Sequence, residues 1–120
     1  MNFLVVDDSS TMRKIVGLAV RGAGHSYEEA EDGKDGLVKA RSGAFDVILL
    51  DVNMPNMNGI EFLKERGKDA SLRKVPVIVL TTQDEQALKT EALGLGAEAF
   101  LVKPFQKENL LQVVSGIVKA

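Results

Sequence analysis

Four apolar runs rich in Val, Ile and Leu divide the chain, and a polar residue directly follows each of them. The runs cover 3–6, 47–50, 77–80 and 100–102, and the residues that follow are Asp7 and Asp8, Asp51, Thr81 and Lys103. Unbroken apolar runs of this length are typical of parallel strands that helices cover on both faces. Because the carboxyl ends of parallel strands share one edge of a sheet, we expect these polar residues to meet there.

Helix-period stretches separate the apolar runs, so that strand and helix alternate five times. One helix follows Ser9 and Ser10, which we interpret as N-caps, and others are predicted at about 33–42, 59–67, 85–95 and 110–117. The polar segment 26–30 suits an exposed edge strand, because it offers little to bury on two faces. We therefore predict an α/β fold: a doubly wound, flavodoxin-like, five-stranded parallel sheet in the order 2-1-3-4-5, with five helices.

The composition fits one globular domain over residues 1–120. A chain of 120 residues with 45% hydrophobic content can bury a core, while no apolar run approaches the ~20 residues of a membrane-spanning helix. The absence of cysteine excludes disulfides and thiolate metal sites. A net charge of -2 argues against a non-specific nucleic-acid binder. We expect a cytoplasmic monomer whose partners are proteins or small ions, with no nucleic acid and no membrane among them.

The acidic residues at the predicted sheet edge indicate a cation site. Asp7, Asp8 and Asp51 would place like charges together, which is unfavourable unless a cation compensates. Oxygen ligands without His or Cys favour Mg²⁺. With the hydroxyl of Thr81 and the ammonium of Lys103, the set suits phosphoryl transfer to an aspartate. Taken singly, the aspartates could also be a helix cap or a turn residue, and Thr81 and Lys103 could be an ordinary strand terminus and a solvated lysine.

The chain resembles the receiver domain of bacterial response regulators over essentially its whole length. The resemblance lies in Asp7-Asp8-Ser9-Ser10, in Asp51-Val52-Asn53-Met54-Pro55-Asn56-Met57-Asn58-Gly59, in Thr81 and in Lys103-Pro104-Phe105. Residues 7–14 and 28–33 are especially similar to the CheY-like chemotaxis members. The strand order predicted above is the one for which these regulators are known, so the order is not an independent prediction.

The resemblance implies roles for the residues at the sheet edge. Asp51 would be the phosphoacceptor, and Asp8 and Asp51 would bind Mg²⁺ together with the backbone carbonyl of Asn53. Asp7 would bind the metal through water. Thr81 and Lys103 would contact the phosphoryl oxygens, and the peptide bond between Lys103 and Pro104 would be cis.

The resemblance also implies a switch and a tuning of phosphate lifetime. Phe100 would be a switch aromatic that turns inward when Thr81 moves, although a plain core role for Phe100 is the alternative. Asn53, Thr82 and Gln83 would tune the lifetime of the phosphorylated state. The chain departs from the chemotaxis members at three positions, where they have Tyr for Phe100, Trp for Val52 and Ala for Thr82. We predict that Thr82→Ala raises the rate of phosphorylation by small donors.

The function that the resemblance implies is a single-domain receiver in CheY-like chemotaxis signalling. It would take a phosphoryl group from a CheA-like sensor histidine kinase, or from a small acyl phosphate. It would then bind a downstream protein through the surface of the fourth helix, fifth strand and fifth helix, and a phosphatase would be a further partner. Such a protein is not an enzyme beyond its own phosphorylation and dephosphorylation. A phosphorelay intermediate and a receiver excised from a larger response regulator remain alternatives.

Two functions on related folds fit the residues less well. A flavin-binding protein needs a phosphate-cradling loop after the first strand, where Asp7 and Asp8 would repel the phosphate. A haloacid-dehalogenase-like phosphatase would require Asp-x-Asp at that position, and its cap domain does not fit in 120 residues.

Overall fold

Strands and helices alternate along the part of the chain that the computed structural model describes, which is residues 1–52, 58–81, 86–102 and 106–117. The strands are β1 (Asn2–Val6), β2 (Ser26–Ala30), β3 (Val47–Asp51), β4 (Val77–Thr81) and β5 (Ala99–Val102). The helices are α1 (Ser10–Gly22), α2 (Gly33–Ser42), α3 (Gly59–Gly67), α4 (Gln86–Gly94) and α5 (Lys107–Ile117). Each predicted element is present, with bounds that differ from the prediction by a few residues at most.

The five strands form one parallel sheet in the order β2-β1-β3-β4-β5, as predicted. The central strands β1, β3 and β4 contain three of the four apolar runs, and their residues are buried almost throughout. The edge position of β2 is also confirmed, because Ser26 and Glu28 are exposed while Tyr27 and Glu29 are only half-buried. A central strand needs apolar residues on both faces, whereas an edge strand tolerates polar ones.

Two apolar clusters cover the two faces of the sheet. Alternate β1 residues face opposite ways, so that Phe3 and Val5 pack in the cluster under α1 and α5, while Leu4 and Val6 pack in the cluster under α2, α3 and α4. All four of these side chains are at most 2% exposed. This double burial explains why the strands are unbroken apolar runs rather than alternating ones. No helix within the described residues is long and apolar enough to span a membrane.

The helix N-termini follow from local capping. The Ser9 hydroxyl accepts a hydrogen bond from the backbone N–H of Met12 at 3.2 Å, which makes Ser9 the N-cap of α1. Ser10 is the first residue of the helix and not a cap, which corrects half of the prediction for the serine pair. Asn58 and Glu61 form a capping box at the start of α3.

The start of α3 lies directly against the carboxyl end of β3. The backbone N–H of Gly59 donates to the carbonyl of Val52 at 2.9 Å. A Cβ atom on Gly59 would lie 2.7 Å from the carbonyl oxygen of Asp51 and 2.8 Å from the Cα of Val52. Only glycine allows this close approach without displacing the backbone that carries Asp51.

Candidate metal site

The strand register brings three of the predicted polar residues to one edge of the sheet. Val6, the residue before Asp7, pairs with Leu50, the residue before Asp51. Asp51 in turn pairs with Leu80, the residue before Thr81. Asp7 therefore lies level with Asp51, and Thr81 lies one residue beyond that level, at the carboxyl ends of three neighbouring strands. The predicted meeting of these strand ends is present in the fold.

Asp7, Asp8 and Asp51 form an acidic cluster in which one carboxylate oxygen from each residue lies within 4.8 Å of the others. Asp7 and Asp51 are 5% and 8% exposed, whereas Asp8 is exposed. The cluster is thus buried on the strand side and open to solvent on the Asp8 side. Such a set fits a divalent cation with oxygen ligands, because the three oxygens are close enough to share one ion and water can complete its shell.

Asp7 is fixed by hydrogen bonds to both its backbone and its carboxylate. Its N–H donates to the carbonyl of Ala30 at 3.1 Å, and its Oδ1 accepts from the N–H of Ser9 at 2.9 Å. Arg13 donates from Nη1 to the carbonyl oxygen of Asp7 at 2.6 Å. Because Ser9 is the N-cap of α1, the capping alternative does not account for Asp7.

Thr81 and Phe100 lie in the two strands beyond Asp51. Thr81 is the last residue of β4 and is fully buried. Phe100 lies in β5, pairs with Val79, and packs half-buried against the apolar cluster under α2, α3 and α4. This position is compatible with the predicted switch and with a plain core role, so the switch stays a prediction.

The remaining predicted site residues lie outside the described part of the chain. These residues are Asn53, Thr82, Gln83, Lys103 and Pro104. Their predicted roles in metal binding, phosphate contact, phosphate lifetime and a cis peptide therefore stay predictions.

Two residues that support the acidic cluster were missed by the sequence analysis. Arg13 contacts the backbone of Asp7, and Gly59 lets α3 approach Asp51. A signal for Arg13 was available, because long side chains on a helix point back over the preceding turn and Arg13 follows Asp7 by less than two turns. For Gly59 the signal was weaker, since Asn58-Gly59 also reads as an ordinary turn.

An acidic cluster at the carboxyl ends of β1 and β3, in a parallel sheet of this order, defines a receiver domain of the response regulator type. Residues 3–115 match the sequence profile of the response regulator receiver domain, and the chain belongs to this family.

Relatives of known name cover almost the whole chain. The chain is 36% identical over 115 residues to PilH of Pseudomonas aeruginosa, covering 96% of this chain and 95% of PilH. It is 37% identical over 118 residues to the chemotaxis protein CheY-3 of Vibrio cholerae, covering 98% of this chain and 91% of CheY-3. The chain is accordingly a CheY-like receiver domain, and proteins of this kind are regulators rather than enzymes in the ordinary sense.

Solved structures match the whole fold. The structure of CheY4 of Vibrio cholerae superposes with a TM-score of 0.91 at 39% identity and covers 98% of each chain. The receiver domain of the sensor histidine kinase PA1611 of Pseudomonas aeruginosa, solved with magnesium in its active site cleft, superposes with a TM-score of 0.88 at 25% identity, covering 96% of this chain and 94% of that one.

Proposed function

We propose that the chain accepts a phosphoryl group on Asp51 in a Mg²⁺-dependent reaction and so switches a protein-binding surface. The observation that carries this proposal is the acidic cluster, in which the carboxylate oxygens of Asp7, Asp8 and Asp51 lie within 4.8 Å of one another. Magnesium in the cleft of the related PA1611 receiver supports Mg²⁺ as the ion. The residues that would hold it here are Asp8 and Asp51, with the backbone carbonyl of Asn53, and Asp7 through water.

Asp51 is the best placed of the three aspartates to be the phosphoacceptor. It ends the central strand β3, beside the strand that carries Thr81. The Oδ1 of Asp7 is already bound to the N–H of Ser9, and Asp8 is exposed to bulk water. A carboxylate at the end of a central, buried strand is shielded from most of the competing water.

The reaction transfers the phosphoryl group from one nucleophile, the imidazole of the donor, to another, the carboxylate of Asp51. An Asp51 carboxylate oxygen attacks the phosphorus atom, and the bond between phosphorus and the donor's imidazole nitrogen breaks, with the electron pair leaving on nitrogen. Bound Mg²⁺ would supply charge neutralisation for the phosphoryl oxygens. Hydrolysis later releases inorganic phosphate when water attacks phosphorus and Asp51 leaves as the carboxylate. Thr81 and Lys103 would hold the phosphoryl oxygens by hydrogen bond and charge.

The partners follow from the same proposal. The donor would be a sensor histidine kinase of the CheA-like kind, with acetyl phosphate as a small substitute. The output would be a protein target at the surface of α4, β5 and α5, where Phe100 would change its position when Thr81 moves. The names of the CheY-3 and CheY4 relatives favour chemotaxis as the process. The alternatives that stay open are a phosphorelay intermediate and a receiver that acts within a larger protein.

The test is intact-mass analysis after incubation with acetyl phosphate and Mg²⁺. Wild type should gain the mass of one phosphoryl group, and hydroxylamine should remove it, because an acyl phosphate is a mixed anhydride whose acyl carbon hydroxylamine attacks with loss of phosphate. Asp51→Asn should gain nothing. Asp46→Asn is the matched control, since Asp46 is an exposed aspartate just before the opposite end of the same strand. Equal modification of Asp51→Asn and wild type, or none in wild type, would contradict the proposal.

A further inference from the structure

The side chain of Arg13 connects the ends of two strands beside the acidic cluster. It lies on α1 and is 14% exposed. Its Nη1 donates to the carbonyl oxygen of Asp7 at 2.6 Å, and its Nε donates to Oε1 of Glu29 at 2.9 Å. Asp7 follows β1 and Glu29 lies in β2, so one guanidinium joins the helix to both strands.

The hydrogen bond from Arg13 is the third of the hydrogen bonds described here that hold Asp7 in place. The N–H of Asp7 is held by Ala30, and its Oδ1 is held by the N–H of Ser9. The carbonyl of Asp7 is held by the guanidinium, and the charged donor makes this a charge-assisted hydrogen bond, as the carboxylate acceptor does for the bond from Ser9. Loss of this bond would leave the peptide between Asp7 and Asp8 free to rotate, and the two carboxylates would move with it.

The ion pair with Glu29 has a second consequence, for the electrostatics of the site. A lone guanidinium next to a cation site would repel the ion. The Oε1 of Glu29 accepts the hydrogen bond of this ion pair at 2.9 Å, and the Glu29 side chain is 31% exposed. Its negative charge offsets that of Arg13, so that the arginine can orient the backbone with little cost to cation binding.

We infer that Arg13 is a positioning residue for the acidic cluster: it fixes the backbone between Asp7 and Asp8 through its bond to the Asp7 carbonyl, while Glu29 orients and neutralises it. This inference rests on the proposed binding of a divalent cation by Asp7, Asp8 and Asp51. Groups that orient metal ligands from the second coordination layer affect affinity strongly, and their loss typically weakens it by about 10–100-fold.

The test is the affinity for Mg²⁺, measured by isothermal titration calorimetry and by the Mg²⁺-dependent rise in unfolding temperature. Arg13→Met should bind Mg²⁺ roughly tenfold more weakly than wild type, at the lower end of the range for such residues. A purely electrostatic role predicts the opposite sign, because removal of a positive charge near the cluster would tighten cation binding. A purely structural role predicts a lower unfolding temperature without Mg²⁺ and an unchanged affinity.

Three further variants sharpen the test. Glu29→Gln should also weaken Mg²⁺ binding, and combining it with Arg13→Met should weaken it no further than Arg13→Met alone, because the two residues act as a unit. Arg13→Lys should recover part of the affinity, since a lysine keeps the charge but lacks the planar fork from which Arg13 bonds its two partners through separate nitrogens. Arg21→Met is the matched control on the same helix: Arg21 stacks over the ring of Tyr27 at 5.2 Å, away from the cluster, and its loss should leave the affinity unchanged.

Wild-type or tighter Mg²⁺ binding by folded Arg13→Met overturns the inference. If Arg13→Met does not fold, Glu29→Gln decides the question, and wild-type affinity in that variant overturns the inference equally. The proposed function fails in a different way, because wild type itself would then bind no Mg²⁺ or accept no phosphoryl group.

Discussion

Replacing Asp51 by Asn should stabilise the protein in the absence of divalent cations. Asp51 shares the acidic cluster with Asp7 and Asp8, and the carboxylate oxygens lie within 4.8 Å of one another. Without a cation, the folded state must hold these like charges together, whereas the unfolded chain separates them. Asn has nearly the shape of Asp and carries no charge, so the substitution removes repulsion with little change in packing.

The size of the effect follows from Coulomb's law. With an effective dielectric constant between 20 and 80, two unit charges 4.8 Å apart repel by about 1–3.5 kcal/mol. Asp51 forms two such pairs, and the pair with exposed Asp8 belongs near the weaker limit. A hydrogen bond to a charged group contributes about 1.5–3 kcal/mol, and the loss of one such bond to the Asp51 carboxylate would oppose the gain. The middle of these ranges gives a net stabilisation of about 1 kcal/mol, or roughly 3–5 °C in unfolding temperature.

Magnesium should reverse the order of stability of wild type and Asp51→Asn. Cation binding to the folded state stabilises wild type by about 2.7 kcal/mol when free Mg²⁺ is a hundredfold above the dissociation constant. Asp51→Asn loses a ligand and should gain much less. Wild type should therefore be the less stable protein in EDTA and the more stable one in saturating Mg²⁺.

Urea unfolding followed by circular dichroism, in EDTA and in Mg²⁺, measures both differences. Glu91→Gln is the control for net charge, because Glu91 is an exposed carboxylate on α4 outside the cluster. The electrostatic reasoning is refuted if Asp51→Asn is less stable than wild type in EDTA, or if the two proteins gain equally from Mg²⁺.

Three further predictions concern the scaffold. Arg66 is buried and donates from Nη2 to two backbone carbonyls of the α3–β4 connection, and desolvation by burial lowers its pKa. Arg66→Met should lower the free energy of unfolding in urea by about 2–3 kcal/mol, because both carbonyls lose their donor. An unchanged urea midpoint would contradict this prediction. A Cβ on Gly17 would lie 2.2 Å from the Tyr27 ring. Gly17→Ala should therefore lower the free energy of unfolding by about 1–2 kcal/mol, and adding Tyr27→Leu should recover much of that loss. The hydrogen bond from the Ser71 hydroxyl, followed by that from Arg41, lowers the pKa of Asp69 below its ordinary 3.8. Because the pKa of Asp69 is lower in the folded state than in the unfolded state, ionised Asp69 stabilises the fold above the unfolded-state pKa, and this stabilisation is lost as the pH falls through the folded-state pKa. The difference in free energy of unfolding between wild type and Asp69→Asn should therefore shrink below about pH 4. A constant difference down to pH 2 would refute this prediction.

The sequence by itself determined the order of the elements and the chemistry of the sheet edge. A buried strand appears in the sequence as an apolar run of about five residues bounded by polar ones, and a helix appears as an apolar period, so both patterns are local. The strands and helices of the described residues could therefore be predicted without coordinates. The placement of Asp7, Asp51 and Thr81 also followed, because parallel strands of known order put their carboxyl ends together. Even the exposed edge strand β2 was predicted, since its polar residues could not be buried on both faces.

The tertiary structure alone decided which residues support that edge. Arg13 reaches the Asp7 carbonyl and Glu29 because α1 packs against β1 and β2, and its spacing from Asp7 does not by itself show that one guanidinium bonds both of them. Gly17 and Gly59 likewise look like ordinary helix and turn glycines until a ring or a strand end lies where their Cβ would be. Such contacts join segments that are distant in the chain, and their geometry depends on how whole elements pack rather than on any periodicity in the sequence.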